Sequence, residues 1–231
     1  MEHLDNPVWA ALTGPQAALA DRYDRSARFP DEISMFAGLE DPLDPAAWRD
    51  LGALAGPGGE VLVAVPALAP PDGWVLTGGA SGVQMVGTEV EGAPDPEAVV
   101  LTEADIPEIL DLVGRTRPGP FRKRTSDLGT YLGIRREGAL VAMAGERLRV
   151  PGHTEISAVC TDPAFRGAGL AARLIRAVTA NVRERGDTPF LHAASVNTGA
   201  IRVYERLGFT LRMPIEFAAY QVPAEGVSPR R

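Results

Sequence analysis

The sequence is short of cysteine, of basic charge and of long apolar runs, and each shortage excludes something. One cysteine, Cys160, among 231 residues rules out an intramolecular disulfide. It fits a reducing compartment, so a cytoplasmic location is expected. Acids outnumber Lys and Arg by 30 to 23, a formal net charge of −7, which speaks against a nucleic-acid or membrane-surface binder because both partners are anionic. No uninterrupted apolar stretch reaches membrane-spanning length. The opening MEHLDNPVWA carries acids and a proline where a signal peptide needs a basic end and an apolar run. Three histidines and one cysteine stand at spacings unsuited to a metal constellation, so no metal is expected.

Glycine and proline, by contrast, are plentiful and divide the first half at AGPGGE, APPDGW, TGGASG and EGAPDPE. Between them, Asn6-Pro7 and Asp44-Pro45 read as helix starts, a cap followed by a preset φ. EVLVAV (Glu60 to Val65) reads as a buried strand, and GWVLT and GVQMV as two more in a hairpin. EGAPDPEA (Glu91 to Ala98) is the expected domain boundary, since two prolines and several acids resist regular structure.

After it the pattern is cleaner. VVLTEADIPEILDLVG is a strand running into a helix, with Asp105 and Glu108 spaced as a capping box. GTYLGIRREG and ALVAMAGERLR form a hairpin around Glu137-Gly138, and TEISAVCT is a further strand. GLAARLIRAVTANVRERG is a helix with Leu170, Leu174, Ile175 and Val178 on one stripe and Gly186 as its stop. PFLHAAS is a strand, NTGAIRVYERLG a helix, and FTLRMPIEFAAYQV two strands broken near Pro214. The order from residue 99 is β-α-β-β-β-α-β-α-β-β, which implies a mixed sheet with helices on both faces, an α/β (α+β) class. The tail PAEGVSPRR, residues 223–231, reads as disordered.

One junction needs a reason. In TDPAFRGAGLAARLI, glycines and small residues precede a strongly apolar helix, at an entropic cost a glycine-poor loop would avoid. The first amides of a helix have no internal partner and carry the positive end of its dipole. Gly167, Ala168, Gly169 and Ala171 leave them uncovered, which makes a site sized for phosphate. A bare strand–helix turn is the plain alternative. Neither the dinucleotide fingerprint nor a Gly-Lys-Ser/Thr phosphate loop is present.

The same stretch resembles motif A of the GCN5-related N-acetyltransferase (GNAT) superfamily, Gln/Arg-x-x-Gly-x-Gly/Ala, through Arg166, Gly169 and Ala171. NTGAIRVYERLGF is similar to that superfamily's motif B through Asn197, Ala200, Tyr204, Gly208 and Phe209. The likeness covers about residues 97–222 and is greatest to the FR47-like, glycine-acyltransferase-like branch. It implies a GNAT fold there, behind a smaller N-terminal α/β domain over 1–96. That first part could be a reduced, motif-less copy of the same fold.

The resemblance also implies roles. Val159, Cys160 and Thr161 lie on the strand whose backbone pairs with the pantetheine of acetyl-CoA, or of another short acyl-CoA, as cosubstrate. Arg166, Gly167, Ala168, Gly169, Leu170 and Ala171 would hold the pyrophosphate, and Asn197 would touch the pantetheine. Tyr204 would protonate the departing thiolate. Glu155, at the start of the cofactor strand, is the first choice as general base, with Glu146, His153, His192 or water as alternatives. The implied activity is N-acyl transfer, most simply of acetyl, to a primary amine on a small molecule. Dimers are common in the superfamily, which leaves a homodimer open. The rival expectation is a non-catalytic CoA-binding sensor or interaction module. Cys160, inside an apolar strand with no activating base nearby, reads as a core residue rather than a nucleophile. The basic loop RPGPFRKRT, Arg117 to Thr125, reads as a solvated loop near the acceptor site.

Overall fold

The computed structural model describes residues 3–224; most of the tail, 225–231, lies outside the described residues. The first elements are α1 (Pro7–Leu12), a meander of three short strands, β1 (Asp21–Tyr23), β2 (Ser26–Arg28) and β3 (Ala37–Leu39), and then α2 (Pro45–Ala55). The Asp44 carboxylate accepts from the Ala46 amide at 2.8 Å and Pro45 opens the helix, as a cap-then-proline start requires. Next come β4 (Glu60–Val65) and β5 (Val75–Val86), then β6 (Val99–Val100), α3 (Ile106–Thr116), β7 (Tyr131–Arg136) and β8 (Ala139–Val150). The chain closes with β9 (His153–Thr161), α4 (Leu170–Glu184), β10 (Thr188–Ala194), α5 (Thr198–Leu207) and β11 (Thr210–Gln221).

Eight strands form one mixed sheet in the order β4-β11-β5-β10-β9-β8-β7-β6. Only β9 and β10 run parallel; the remaining neighbours are antiparallel. Helices cover both faces. Leu170, Leu174, Ile175 and Val178 of α4 and Tyr204 of α5 are buried with Ala142, Ala144, Ile156 and Leu191. On the opposite face α3 packs on Tyr131, Met143 and Cys160, and α1 on Leu148, Val150 and Phe190. The β7–β8 hairpin turns at Glu137 and Gly138, with φ of 50° and 85°, the left-handed pair a two-residue turn of this type needs.

Three details differ from the sequence reading. GWVLT and GVQMV are one continuous strand, β5, with no hairpin between them. Its glycines serve close approach: a Cβ on Gly79 would lie 2.5 Å from the Phe217 carbonyl, and one on Gly82 2.7 Å from the Phe217 ring. Pro214 likewise lies inside a single strand, β11. The ladder to β4 begins only at Glu216, and β11 bulges between Leu211 and Met213, so Pro214 stands where the strand has a neighbour on one side only. The capping box is Thr102 with Asp105 rather than Asp105 with Glu108. Glu108 is engaged elsewhere, 2.8 Å from Arg135 Nη1 and 3.2 Å from the Leu140 amide.

The two halves share the large sheet. Residues 91–98 are irregular, as their composition requires, yet the sheet runs straight across that point in the chain. β5 pairs with β10 from Val86↔Phe190 to Gly82↔Ala194 on one side and with β11 along its length on the other. The connection itself is strapped to α4: Arg173 holds Asp95 by two bonds of 2.7 and 2.8 Å, and the Ala93 amide donates to the Arg176 carbonyl at 3.0 Å.

Candidate functional site

β9 and β10 begin side by side and then part. Their parallel ladder consists of Thr188↔His153, Pro189↔Thr154 and Phe190↔Glu155. Beyond it β10 continues with β5 and β9 with β8. The residues 156–161 therefore turn a free backbone edge toward β10. The fork has a local cause. β9 carries an extra residue between the pairs Gly145↔Ser157 and Met143↔Cys160, and Ala158 there has φ 53°. A bulge bends the strand that carries it, and a non-glycine residue in the left-handed region is a cost that functional sites tend to hold.

At the open end of the fork β9 leads through Asp162-Pro163 into α4. Gly167 and Gly169 have φ of 84° and 75°, and a Cβ built on either would meet nothing within 4 Å. The first backbone bond of the helix runs from the Arg173 amide to Gly169, and no side chain caps the helix start. Among the described residues the amides of 167–172 thus lack acceptors, and residues 166–169 are exposed. Arg166 folds back, its Nε 3.4 Å from the Thr161 carbonyl. Uncovered N–H groups at a helix N-terminus, the kind of place where an anion can bind, thus stand next to a strand with a free edge. Gly169→Val would force a branched residue into φ 75° and place methyls over the amides. The expected outcome is a CoA dissociation constant raised by an order of magnitude or more, about 1.4 kcal/mol, checked by calorimetric titration.

The structure places the remaining candidates as follows. Val159 packs against the α4 side, and Cys160 is buried on the α3 side, where burial pushes its thiol up and out of the reactive range. The Asn197 side chain caps α5, accepting from the Ala200 amide at 3.2 Å. Tyr204, 8 % exposed, stacks edge-on to Phe209 at 6.1 Å. Burial raises its phenol to about 12, and its hydroxyl has no hydrogen-bond partner among the described residues. Glu146 is buried against Arg185, 2.8 Å away beyond the end of α4. His153 borders Phe190 at the closed end of the fork. In the basic loop, Arg124 pairs with Glu32 and Asp127, so part of its charge is spent on anchoring the loop to the N-terminal half.

Glu155 is fully buried. Arg147 grips it with Nε at 2.8 Å and Nη2 at 2.5 Å, and His192 Nδ1 lies 2.7 Å away. Burial alone would push this carboxyl up; the charge and hydrogen bonds of Arg147, with the N–H bond from His192, outweigh burial and bring it down to about 2. Arg147 in turn lies over the Phe36 ring at 4.7 Å, so a residue of the N-terminal half completes the cluster. Sequence spacing gave no sign of Arg147, nor of Gln84, which meets His192 from β5 at 3.1 Å; they converge only through the strand order.

A folded-state value below the ordinary 4.5 means that Glu155 stabilises the fold above that pH, and that this contribution fades as pH falls toward about 2. Glu155→Gln should flatten the acid limb of the stability-versus-pH curve over that window. Thermal melts between pH 5 and about 2 check it; a limb as steep as in the parent would contradict the assigned ion pair.

Among the described residues no group of three or more His, Cys, Asp and Glu is placed to hold a metal ion, and no helix is long and apolar enough to cross a membrane.

The family model of FR47-like proteins matches residues 131–218. A protein of Novosphingobium aromaticivorans, described as an acetyltransferase from the GNAT family, superposes with a TM-score of 0.88 at 39% identity, over 95% of this chain and 98% of that one. The likeness therefore takes in both halves. Two curated proteins are similar over shorter stretches. A mycothiol acetyltransferase of Thermobispora bispora is 46% identical over 57 residues, 24% of this chain and 19% of that protein. The N-alpha-acetyltransferase RimI of Mycobacterium tuberculosis is 33% identical over 96 residues, 40% of this chain and 60% of that protein. The chain thus spans less than two thirds of the length of either curated relative. The full-length likeness and the forked sheet agree: the chain belongs to the GNAT family of acetyltransferases, and its residues 131–218 are similar to FR47-like proteins.

Proposed function

We propose that the chain is an acyl-CoA-dependent N-acyltransferase that moves an acetyl group to a primary amine by direct attack on the thioester. The observation that carries this is the side-by-side placement of the unpartnered amides of 167–172 and the free β9 edge opened by the bulge at Ala158. Acetyl-CoA would supply the activated carbonyl. The amides would hold its diphosphate, and the β9 edge would align the pantetheine and polarise the carbonyl. An amine nitrogen forms the new C–N bond, the C–S bond breaks, and Tyr204 gives its proton to the sulfur, recovering one from solvent. Its high-lying phenol keeps that proton available across the working pH range.

The nucleophile must shed a proton as well. Glu155, Glu146, a histidine and water are the alternatives, and this reading favours water. Glu155 held at about 2 by Arg147 is a poor acceptor for an ammonium proton, so a base role would require that pair to open. In this proposal Glu155 shapes the fork, and water bound at the amine carries the proton away. The acceptor belongs to the amine class, with a small molecule favoured. The names of the two curated relatives point to a thiol-containing small molecule in one case and to protein amino groups in the other.

The test is acetyl-CoA titration followed by free-thiol release with a panel of amines. Tight binding with release for at least one amine supports the transferase. Binding without release for any small-molecule or peptide amine would instead favour a non-catalytic CoA-binding module.

A further inference from the structure

The fork carries a second set of contacts that the transfer step leaves unused. Phe190 and Glu155 form its last backbone rung. Two residues on, and so on the same strand face as Phe190, His192 reaches back across the gap to Glu155, Nδ1 to Oε1 at 2.7 Å. Its ring stands edge-on to Phe190 and Phe217, centroids 5.6 Å from each. The other ring nitrogen, Nε2, is 3.1 Å from the side-chain nitrogen of Gln84.

The Gln84 amide has only one workable orientation. Its nitrogen lies 2.8 Å from the Leu4 carbonyl, which can only accept. Its oxygen lies 3.0 Å from Arg212 Nη1, which can only donate. Turning the amide round would set acceptor against acceptor and donor against donor. The amide therefore donates to His192, whose Nε2 must offer a lone pair, and the ring proton is on Nδ1, donated to Glu155. An imidazolium would drive an Nε2–H into the Gln84 N–H.

We propose that Gln84, a residue of the N-terminal half, is a positioning residue that holds His192 in the fork as the neutral Nδ1–H tautomer. The charged and titratable groups facing this ring are Glu155 from β9, Arg147 from β8, and, through Gln84, Arg212 from β11 with its partner Asp5. Tyr131 stands near Glu155, its phenol pushed up by burial, and His153 lies beyond Phe190. Glu155 and Arg147 cancel. A second cation on His192 would leave the fork positive where a protonated amine approaches, and a histidine beside a carboxylate takes a proton readily. Gln84 withholds it. The tautomer stands on geometry alone; the consequence for the amine rests on the transferase reading.

Histidine-labelled ¹⁵N spectra decide the matter, with His3→Gln and His153→Gln assigning the three ring systems. In the parent, between about pH 6 and 8, His192 should show a protonated Nδ1 and a bare Nε2. In Gln84→Leu that tautomer should no longer be fixed, and an Nε2–H should appear. In the same variant KM for the amine should rise severalfold at about pH 6 relative to about pH 8, with kcat and the CoA dissociation constant little changed. An Nε2–H or an imidazolium in the parent overturns the proposal, as does a Gln84→Leu spectrum like the parent's. Should the variant fail to fold, the parent spectrum still decides. Should no amine release thiol, the transferase reading fails while the tautomer is still read.

Discussion

Tyr204→Phe is expected to lower kcat by about two orders of magnitude or more, the usual scale for losing a general acid, while leaving the melting temperature and the CoA dissociation constant close to the parent's. The reasoning has two parts. The ring works in packing: it lies edge-on to Phe209 and within the α4–α5 cluster, and phenylalanine keeps every one of those contacts. The hydroxyl makes no hydrogen bond among the described residues, so its removal strands no buried partner and costs little stability. What is lost is a proton that burial keeps on the phenol up to about pH 12. The contrast is Tyr204→Ala, expected to destabilise by about 3–5 kcal/mol through the cavity it leaves. Thiol release at saturating acyl-CoA and amine reads the first effect, and a thermal melt the second. Unchanged turnover in the phenylalanine variant removes the acid role and returns Tyr204 to the core.

The helices and the exposed glycine turn before α4 were legible because their signals are local. Asp44-Pro45, the Leu170–Val178 stripe, Gly169 before the helix and Glu137-Gly138 each act within a few residues. The misreadings share one physical cause: glycine and proline mean a turn only when no neighbouring strand explains them. Gly79 and Gly82 are small because Phe217 lies against them, and Pro214 is tolerated because β4 has not yet joined that side of β11. Both reasons come from residues more than 130 positions away. The polar floor of the fork was opaque for the same reason. Asp5, Gln84, Arg147, Glu155, His192 and Arg212 come from six separate segments and meet only once the strand order is known. Glu155 was visible as a carboxylate at a strand start, but Arg147, which sets its proton affinity, was not.

The strand order also makes the first half indispensable. A fragment beginning at residue 97 is expected to be insoluble or unfolded, and a chain cut within 91–98 to stay whole under native conditions. Without β4 and β5, β10 would lose its antiparallel partner and β11 would lose both neighbours. Three of the buried clusters draw on both halves. Met85 and Val90 join the α4 cluster. Phe29, Phe36 and Leu62 lie with Leu148, Phe190 and Ile215, and Trp48, Val61 and Val63 with Ala218 and Tyr220. Exposing even five such side chains costs roughly 1.5–3 kcal/mol each, enough to consume the 5–15 kcal/mol of stability usual for a domain. The connecting segment is itself held by Arg173 and the Arg176 carbonyl, so native proteolysis there should be slow, and a protease site inserted between Gly92 and Pro96 is the cleaner tool. After cleavage the two pieces should co-elute by size exclusion, keep acyl-CoA binding, and part only in denaturant. Two separately folded fragments would show instead that residues 1–96 are an independent module, and that Gln84 and Phe36 reach the fork by docking rather than by shared folding.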